Sequence, residues 1–292
     1  MKKTILAAGG DLRQIYAAEK LSRYFTVFLT GFDNTISVPD GVIKTDISDL
    51  KEKCADFLLL PVLVSSDGTT LSTPMGSSEI SLRKLTKYIF EEGIVFGGKT
   101  DIKTEKIFTS ANLEVIDYLS REDFCVLNAV PTAEGALQII LEELPVTLFG
   151  SDILITGYGR IAKVLARILI SLGARVTVCA RKYHDISWAD INGCSGRHIS
   201  ELTECASECD AVFNTVPEII FTENILRNMK KDCLIIDLAS KPGGTDLKAA
   251  SELGIKTVWA LGLPGKAAPV SAGHIIADTV KNILSERGMI YE

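Results

Sequence analysis

The chain opens on a short apolar run, Thr4 to Ala8, then a Gly9-Gly10-Asp11 turn and a periodic stretch from Leu12 to Tyr24. That order predicts strand, turn and helix, with a second strand at Phe25 to Leu29. A third strand is expected at Phe57 to Leu60, ending at Pro61, and a fourth at Ile94 to Phe96, ending at Gly97-Gly98. Between them runs a loop rich in Ser, Thr and Gly from Ser65 to Ser78. A helix is expected after it, with Ile80, Leu82, Leu85 and Ile89 mostly on one face.

The alternation resumes in the second half. The segment Asn128-Ala129-Val130-Pro131-Thr132-Ala133-Glu134-Gly135 leads into a helical pattern of Ala136, Leu137, Ile140, Leu141 and Leu144 that stops at Pro145. Thr132 is the candidate cap, and helix 132–144 is expected to link two domains. An apolar strand, Asp152 to Thr156, is followed by Gly157-Tyr158-Gly159-Arg160-Ile161-Ala162 and a helix ending at Gly173. Its expected apolar face is Ile161, Val164, Leu165, Ile168, Leu169 and Leu172, and a strand from Arg175 to Cys179 comes next. Further strands are predicted at Ala211 to Asn214, Leu234 to Asp237 and Thr257 to Ala260, giving five in this half. The last helix, Ala272 to Arg287, carries Ile276, Val280 and Ile283 on one face.

Strand, glycine turn, helix and strand at 152–179 form a dinucleotide-binding unit. Gly157 allows the tight turn, Gly159 lets backbone approach a pyrophosphate, and Ala162 lets helix pack on strand, with phosphate charge at the helix N-terminus near Arg160 and Ile161. The fold class expected is therefore α/β: two doubly wound Rossmann-like domains with mostly parallel sheets. Their limits are set at 1–148 for a substrate-binding domain and 149–292 for a cofactor domain, with helix 272–287 placed to fold back onto the first.

The second strand of that unit ends Val178-Cys179-Ala180-Arg181-Lys182, without the carboxylate that usually holds the ribose hydroxyl of NAD. Arg181 and Lys182 suit a 2′-phosphate instead, by a guanidinium fork and a point charge, so the cofactor expected is NADP(H). The alternative is a pair of solvated surface cations.

Composition narrows the partners. The 292 residues are 47% hydrophobic and 23% charged with a formal net charge of −6, and no long Lys/Arg run points to nucleic acid or an anionic membrane. No run approaches about 18 consecutive apolar residues, and Met1-Lys2-Lys3 leads into a strand rather than a signal core, so a cytoplasmic protein is expected. Seven cysteines, an odd number in apolar contexts, fit a reducing compartment. Cys194, His198, Cys205 and Cys209 lack the paired spacing of structural zinc, and no metal is expected.

Candidate site residues gather after the predicted strands, where ligands of open parallel sheets sit. Asn214-Thr215-Val216-Pro217, Ala239-Ser240-Lys241-Pro242-Gly243-Gly244-Thr245-Asp246 and Gly262-Leu263-Pro264-Gly265-Lys266 are three such loops, although turns alone favour the same residues. Asn214, Thr215, Pro217 and Gly262 are assigned to the cofactor. In the first half, Gly9-Gly10-Asp11 followed by Arg13 resembles the opening of an anion site, with Ser72 and Thr73 as further donors; a surface role for Arg13 is the alternative.

Taken together, these segments resemble the dipicolinate synthase A-subunit family. The matching stretches are Gly9-Gly10-Asp11 with Arg13-Gln14, Asn128 with Pro131-Thr132 and Glu134-Gly135, and the fingerprint at Gly157. Leu238-Ala239-Ser240 with Pro242 to Asp246, then Gly262-Leu263-Pro264-Gly265 with Ala268-Pro269 and Ala272-Gly273, complete the likeness along nearly the whole chain. The resemblance implies an NADP-linked dehydrogenase acting on CH–CH groups in a branch from lysine biosynthesis. It would make pyridine-2,6-dicarboxylate for spores in the mother cell of a sporulating bacterium, and the flavoprotein-like B-subunit of dipicolinate synthase would be its partner; a homo-oligomer is also expected.

Oxidising dihydrodipicolinate needs a hydride acceptor, a grip on two carboxylates and a base. The grip is assigned to Arg13, Ser72, Thr73, Thr132, Ser240, Thr245 and Asp246. Candidates for the proton are Glu134, His274 and Lys241, with helix-dipole or structural roles open for the first two. Competing readings are an NADP dehydrogenase of the shikimate or methylenetetrahydrofolate type and a non-catalytic NADP(H)-binding chain.

Overall fold

The computed structural model describes residues 2–290; Met1, Tyr291 and Glu292, which fall in the two expected domains, lie outside the described residues. The chain divides into two compact units, Met1–Asn128 with Ala268–Glu292, and Ala129–Ala267.

The first unit holds strands β1 (Thr4–Ala8), β2 (Thr26–Thr30), β3 (Val42–Lys44), β4 (Ala55–Leu59), β5 (Ile89–Gly97) and β6 (Glu114–Asp117). They form one parallel sheet in the order β3-β2-β1-β4-β5-β6. Helices α1 (Leu12–Ser22), α2 (Leu82–Leu85) and α3 (Ile102–Thr109) connect them. Helix α4 (Glu122–Glu143) runs from the first unit into the second. The second unit holds β7 (Asp152–Thr156), β8 (Arg175–Ala180), β9 (Ser195–His198), β10 (Ala211–Asn214), β11 (Leu234–Asp237) and β12 (Thr257–Trp259), in the order β12-β11-β10-β7-β8-β9. Helices α5 (Arg160–Ser171), α6 (Tyr183–Ile191), α7 (Leu202–Glu208), α8 (Glu223–Arg227), α9 (Leu247–Leu253) and α10 (Leu263–Ala267) belong to it, and α11 (Pro269–Glu286) returns to the first. Both sheets reverse direction of winding once, between β1 and β4 and between β7 and β10, which makes those strand ends the places where ligand crevices form. The α/β doubly wound class is thus the observed one.

Several expected elements differ. Helix α4 begins at Glu122, with Glu122 and Asp123 favouring its positive end, and continues through Pro131. The boundary therefore falls inside a helix rather than at residue 148. Thr132 is buried in the helix interior and is no cap, and Glu134 is mid-helix, which removes its first-turn dipole role. The length and hydropathy of α4 alone would suit a membrane span, yet Ala133, Ala136 and Ile140 pack in the core of the second sheet. The helix expected at 80–89 shrinks to the one turn of α2, and Ile89 opens β5. On α5 the buried face is Ala162, Leu165, Ala166 and Leu169, while Leu172 is exposed, because alanines allow closest approach to the sheet.

Helix α11 buries Ile276, Val280 and Ile283 as the pattern predicts, and it lies along α1. Gly273 sets that approach: an added Cβ would stand 2.5 Å from the Arg13 carbonyl oxygen and 2.8 Å from Tyr16 Cβ. Lys20 pairs with Asp278 at 2.6 Å, and Arg121 bonds both Asp123 and Glu286, tying α11 to the start of α4.

Candidate functional site

In the second unit the crevice is built from the ends of β7, β8 and β10. Gly157 takes φ +80°, and a Cβ there would meet Thr215 Oγ1 at 2.7 Å, so the turn after β7 needs glycine. Gly159 is the N-cap of α5. No side chain caps this end, the first turn carries no acidic residue, and a Cβ on Gly159 would meet nothing within 4 Å. An uncapped N-terminus of a 12-residue helix opening onto free space is a seat for a pyrophosphate. Ala162 is fully buried against the sheet, as the fingerprint requires. Arg160 and Ile161 form the first turn of α5 behind that seat.

Arg181 and Lys182 are exposed and line one cleft of about 160 Å³ with Gly157, Val216 and Ile220. The fingerprint and the two cations thus share a surface, as an adenosine 2′-phosphate would need. Asp185 and Glu218 line the same cleft; neither directly follows β8, the position at which the fingerprint expects a carboxylate.

The loops around this crevice hang on a buried chain of side chains. Thr156 Oγ1 donates to Asn214 Oδ1 at 2.7 Å, and Asn214 Nδ2 donates to Asp237 Oδ1 at 2.7 Å and to the Val216 carbonyl at 3.0 Å. Asp237 in turn accepts from the Ala239 amide at 3.1 Å and the Gly244 amide at 2.8 Å. All three side chains are at most 1% exposed. Gly244 admits no side chain, since a Cβ would lie 2.1 Å from Asn214 Nδ2. Trp259 Nε1 braces the same loop through the Ala239 carbonyl at 2.9 Å. The sequence assigns Asn214 to the cofactor; its burial and full bonding make it the brace of the site instead. Thr156, Asp237 and Trp259 share in this brace, and sequence reasoning missed all three.

Other expected groups sort by exposure. Thr215 donates its hydroxyl to the Thr156 carbonyl at 2.7 Å. Pro217, Ser240 and Lys241 are exposed at the strand ends, and Gly262 takes φ +71° with open space around it. Asp246 caps α9, accepting from the Ala249 amide at 3.0 Å, so its assignment to substrate is corrected to a helix cap. Thr245 is 3% exposed with Oγ1 unpartnered. Glu134 is exposed beside Gly135, where α4 crosses α10 closely enough that a Cβ would meet Leu263 Cβ at 3.0 Å. His198 caps the turn at Ile199, and Cys209 Sγ lies 3.7 Å from Cys233 Sγ.

In the first unit, Gly9 and Gly10 both take positive φ after β1, yet their amides are spent inside the protein. Gly9 N–H donates to the Thr30 carbonyl at 2.9 Å and Gly10 N–H to the Ser72 carbonyl at 2.8 Å. Asp11 caps α1 through the Arg13 amide at 3.0 Å and also holds the Arg13 guanidinium through Nε and Nη2. Burial alone would raise the Asp11 pKa, but the bonds and charge of Arg13 outweigh it and lower the pKa below its usual value. The expected glycine-amide anion cradle is therefore closed, and Arg13 keeps Nη1 and one Nη2 hydrogen outside these bonds. Ser72 and Thr73 do lie beside Gly9 and Gly31, brought there by a loop pinned at Leu71, Ser72 and Ser77. Gln14, 2% exposed, donates to the Leu59 carbonyl at 2.7 Å and keeps a buried Oε1 unpartnered. His274, in the second turn of α11 next to Gly273, has a buried Nε2 without a partner.

Comparison with known proteins agrees with this geometry. Residues 4–119 match the family model for the N-terminal domain of the dipicolinate synthase A-subunit, and residues 133–241 match the NAD binding domain of D-isomer specific 2-hydroxyacid dehydrogenases. The chain is 32% identical over 284 residues to the dipicolinate synthase A-subunit of Bacillus subtilis (strain 168), covering 97% of this chain and 96% of the relative. The crystal structure of the dipicolinate synthase A-subunit from Bacillus halodurans superposes with TM-score 0.90 at 30% identity, covering 98% of each chain. Its counterpart from Bacillus subtilis gives 0.88 at 31%, covering 98% of this chain and 97% of that one. A transhydrogenase from Sinorhizobium meliloti, at TM-score 0.73 and 16% identity, over 98% of this chain and 95% of that one, shares the fold alone. The chain thus belongs to the dipicolinate synthase A-subunit family, an oxidoreductase chain whose second unit is a nicotinamide-dinucleotide-binding domain.

Proposed function

We propose that the protein oxidises dihydrodipicolinate to dipicolinate with NADP, working with a second, flavoprotein-like subunit in the cytoplasm of the mother cell of a sporulating bacterium. The observation that carries this reading is the uncapped α5 N-terminus beyond Gly159, with Arg181 and Lys182 lining the cleft that begins at Gly157. Family membership supports the substrate over those of shikimate- or methylenetetrahydrofolate-type dehydrogenases.

When bound, the nicotinamide supplies the hydride acceptor. The chain supplies the rest. Amides at the start of α5 take the pyrophosphate, and the guanidinium of Arg181 with the ammonium of Lys182 takes the 2′-phosphate. Arg13 Nη1, the Ser72 and Thr73 hydroxyls, Ser240 and Thr245 are the donors for substrate carboxylates. Thr132 remains a candidate donor from the buried side of α4. For the ring proton we favour Nε2 of His274, since a buried ring nitrogen without a partner invites a functional explanation. Glu134 and Lys241 stand exposed to water.

The test is an activity assay read at the nicotinamide absorbance band, with NADP and NAD compared, in the presence and absence of the flavoprotein-like partner. Arg181→Ala with Lys182→Ala should weaken NADP at least about tenfold and leave NAD nearly unchanged, as expected for losing one charge-assisted phosphate contact. Equal losses for both cofactors would remove the 2′-phosphate role, and a preference for NAD in the wild type would overturn NADP.

A further inference from the structure

A cavity of about 620 Å³ in the first unit lies where β2 and β3 end, its Thr30–Gly31 wall adjoining the glycine turn after β1 through the Gly9 amide. Its volume is within the range of small-molecule sites, roughly 300–1,000 Å³. The proposed oxidation makes no use of it. A dicarboxylate would not enter readily, because Asp33, Asp46 and Asp49 line the wall against one lysine, Lys44. That lysine already donates to the carbonyls of Asp33 and Ile36, at 2.5 and 2.8 Å.

The wall has two kinds of surface. Phe32, Ile47 and Ile80 are buried apolar side chains, at most 9% exposed, and give an apolar floor. The rim is acceptor-rich. Asp33 Oδ1 takes both the amide and the hydroxyl of Ser77, and Asp46 Oδ1 takes those of Ser48, which leaves Oδ2 of each carboxylate outside these bonds. The Ser77 hydroxyl bond holds Asp33 below the usual carboxylate range, and the Ser48 amide does the same for Asp46, so both rim groups are anions at neutral pH. Thr30 in the same wall is 1% exposed, and its Oγ1 has no hydrogen-bond partner. A buried hydroxyl without a partner is costly unless a ligand or water completes it.

The fold adds its own indication. The sheet order β3-β2-β1-β4-β5-β6 is that of a doubly wound nucleotide fold, in which an acidic side chain just after the second strand receives the ribose hydroxyls. Asp33 stands just after β2. Phosphates, however, have no seat here, with the Gly10 amide held by the Ser72 carbonyl and the α1 N-terminus capped by Asp11.

We propose that this cavity is a second ligand site, selective for a ribonucleoside without phosphates. The heterocycle rests on Phe32, Ile47 and Ile80, the ribose diol donates to the free carboxylate oxygens of Asp33 and Asp46, and the Thr30 hydroxyl gains the partner it lacks. The site is independent of the NADP reading for the second unit.

Calorimetric titration of the full chain, with NADP present in excess, tests it using adenosine as the probe. Adenosine should bind, and 2′,3′-dideoxyadenosine, lacking both donors, should bind about tenfold more weakly. AMP should bind at least about fivefold more weakly than adenosine, because its phosphate faces three carboxylates. Thr30→Val should raise the melting temperature and weaken adenosine about fivefold, a combination that a purely structural threonine would not give. Asp49→Asn, at an exposed rim position, should narrow the gap between AMP and adenosine without altering the fold. No heat from adenosine at millimolar concentration, equal binding of the dideoxynucleoside, tighter binding of AMP, or unaltered affinity in Thr30→Val would each overturn the proposal. Failure of NADP to bind would count against the second unit's reading alone, since Thr30→Val still separates the two units.

Discussion

Asn214→Asp is the sharpest test of the brace beneath the crevice, because it preserves shape and removes both N–H donors of the amide. The Nδ2 group that stands 2.7 Å from Asp237 Oδ1 and 3.0 Å from the Val216 carbonyl would become a second carboxyl oxygen. Two carboxylates at that separation inside the protein repel by about 4 kcal/mol or more at an effective dielectric of 20. The cheaper solution is for the pair to keep one proton, whose hydroxyl restores the bond between residues 214 and 237 but not the one to the Val216 carbonyl. Holding that proton against an unfolded-state pKa of about 3.9 costs about 1.4 kcal/mol per pH unit above it, hence about 1.5 kcal/mol at pH 5 and about 4 kcal/mol at pH 7. The sign follows from the raised pKa in the folded state: the pH-dependent part of the stability is fully present at low pH and is lost as pH rises, beside a constant deficit for the unpaired Val216 carbonyl. Both tryptophans, Trp188 and Trp259, belong to the second unit, so urea unfolding followed by their fluorescence reports on that unit. Affinity for the nicotinamide dinucleotide should fall in parallel as the 214–217 and 239–244 loops loosen. A stability deficit that stays flat between pH 5 and pH 7, or a variant as stable as wild type at pH 7, would refute the brace.

Two further outcomes concern the first unit. Gly273→Ala puts a methyl 2.5 Å from a backbone oxygen of α1, which cannot move aside as a side chain can, so we expect about 1–3 kcal/mol of destabilisation and faster hydrogen exchange in α11. Asp123 is held at a pKa of about 2, chiefly by the Arg121 side-chain hydrogen bonds, so its contribution is complete above about pH 4 and is lost as pH falls toward 2. After allowance for solvent at this partly exposed pair, Arg121→Ala should cost about 1 kcal/mol at neutral pH and flatten that acid limb in denaturation curves.

The dinucleotide unit was legible because its signal is local: an apolar strand, two glycines at fixed spacing and a small residue in the following helix sit within one stretch of chain. Edge strands were not. Ser195-Gly196-Arg197-His198 of β9 carries no large apolar residue, and Glu114–Asp117 of β6 alternates too briefly, so only pairing to β8 and β5 makes them strands. Pro131 reads as a helix boundary, yet the helix passes through it, tertiary packing of Ala129, Ala133 and Ala136 overriding the local rule. The Thr156–Asn214–Asp237 chain was invisible for a different reason. Each residue merely ends a strand in the sequence, and their contact exists only because β7, β10 and β11 lie side by side.

The two units share a topology and differ at the same point of it, the helix that follows the first strand. In the second unit that N-terminus is uncapped and faces open space; in the first it is closed by Asp11, which also occupies most of Arg13. If Arg13 grips a substrate carboxylate, Asp11 competes with substrate for the guanidinium. Asp11→Asn keeps a capping oxygen for α1 while removing the charge that holds Arg13. A partly exposed pair of this kind is worth about 1 kcal/mol, so KM for the dicarboxylate should fall roughly fivefold with kcat little changed. Steady-state kinetics on Asp11→Asn beside Arg13→Ala decides between the roles. A lower KM in the first and a higher KM in the second mark Arg13 as the grip. An unchanged or raised KM in Asp11→Asn means that the pair only fastens the start of α1, and the carboxylates must then be held from the loops after β10 and β11.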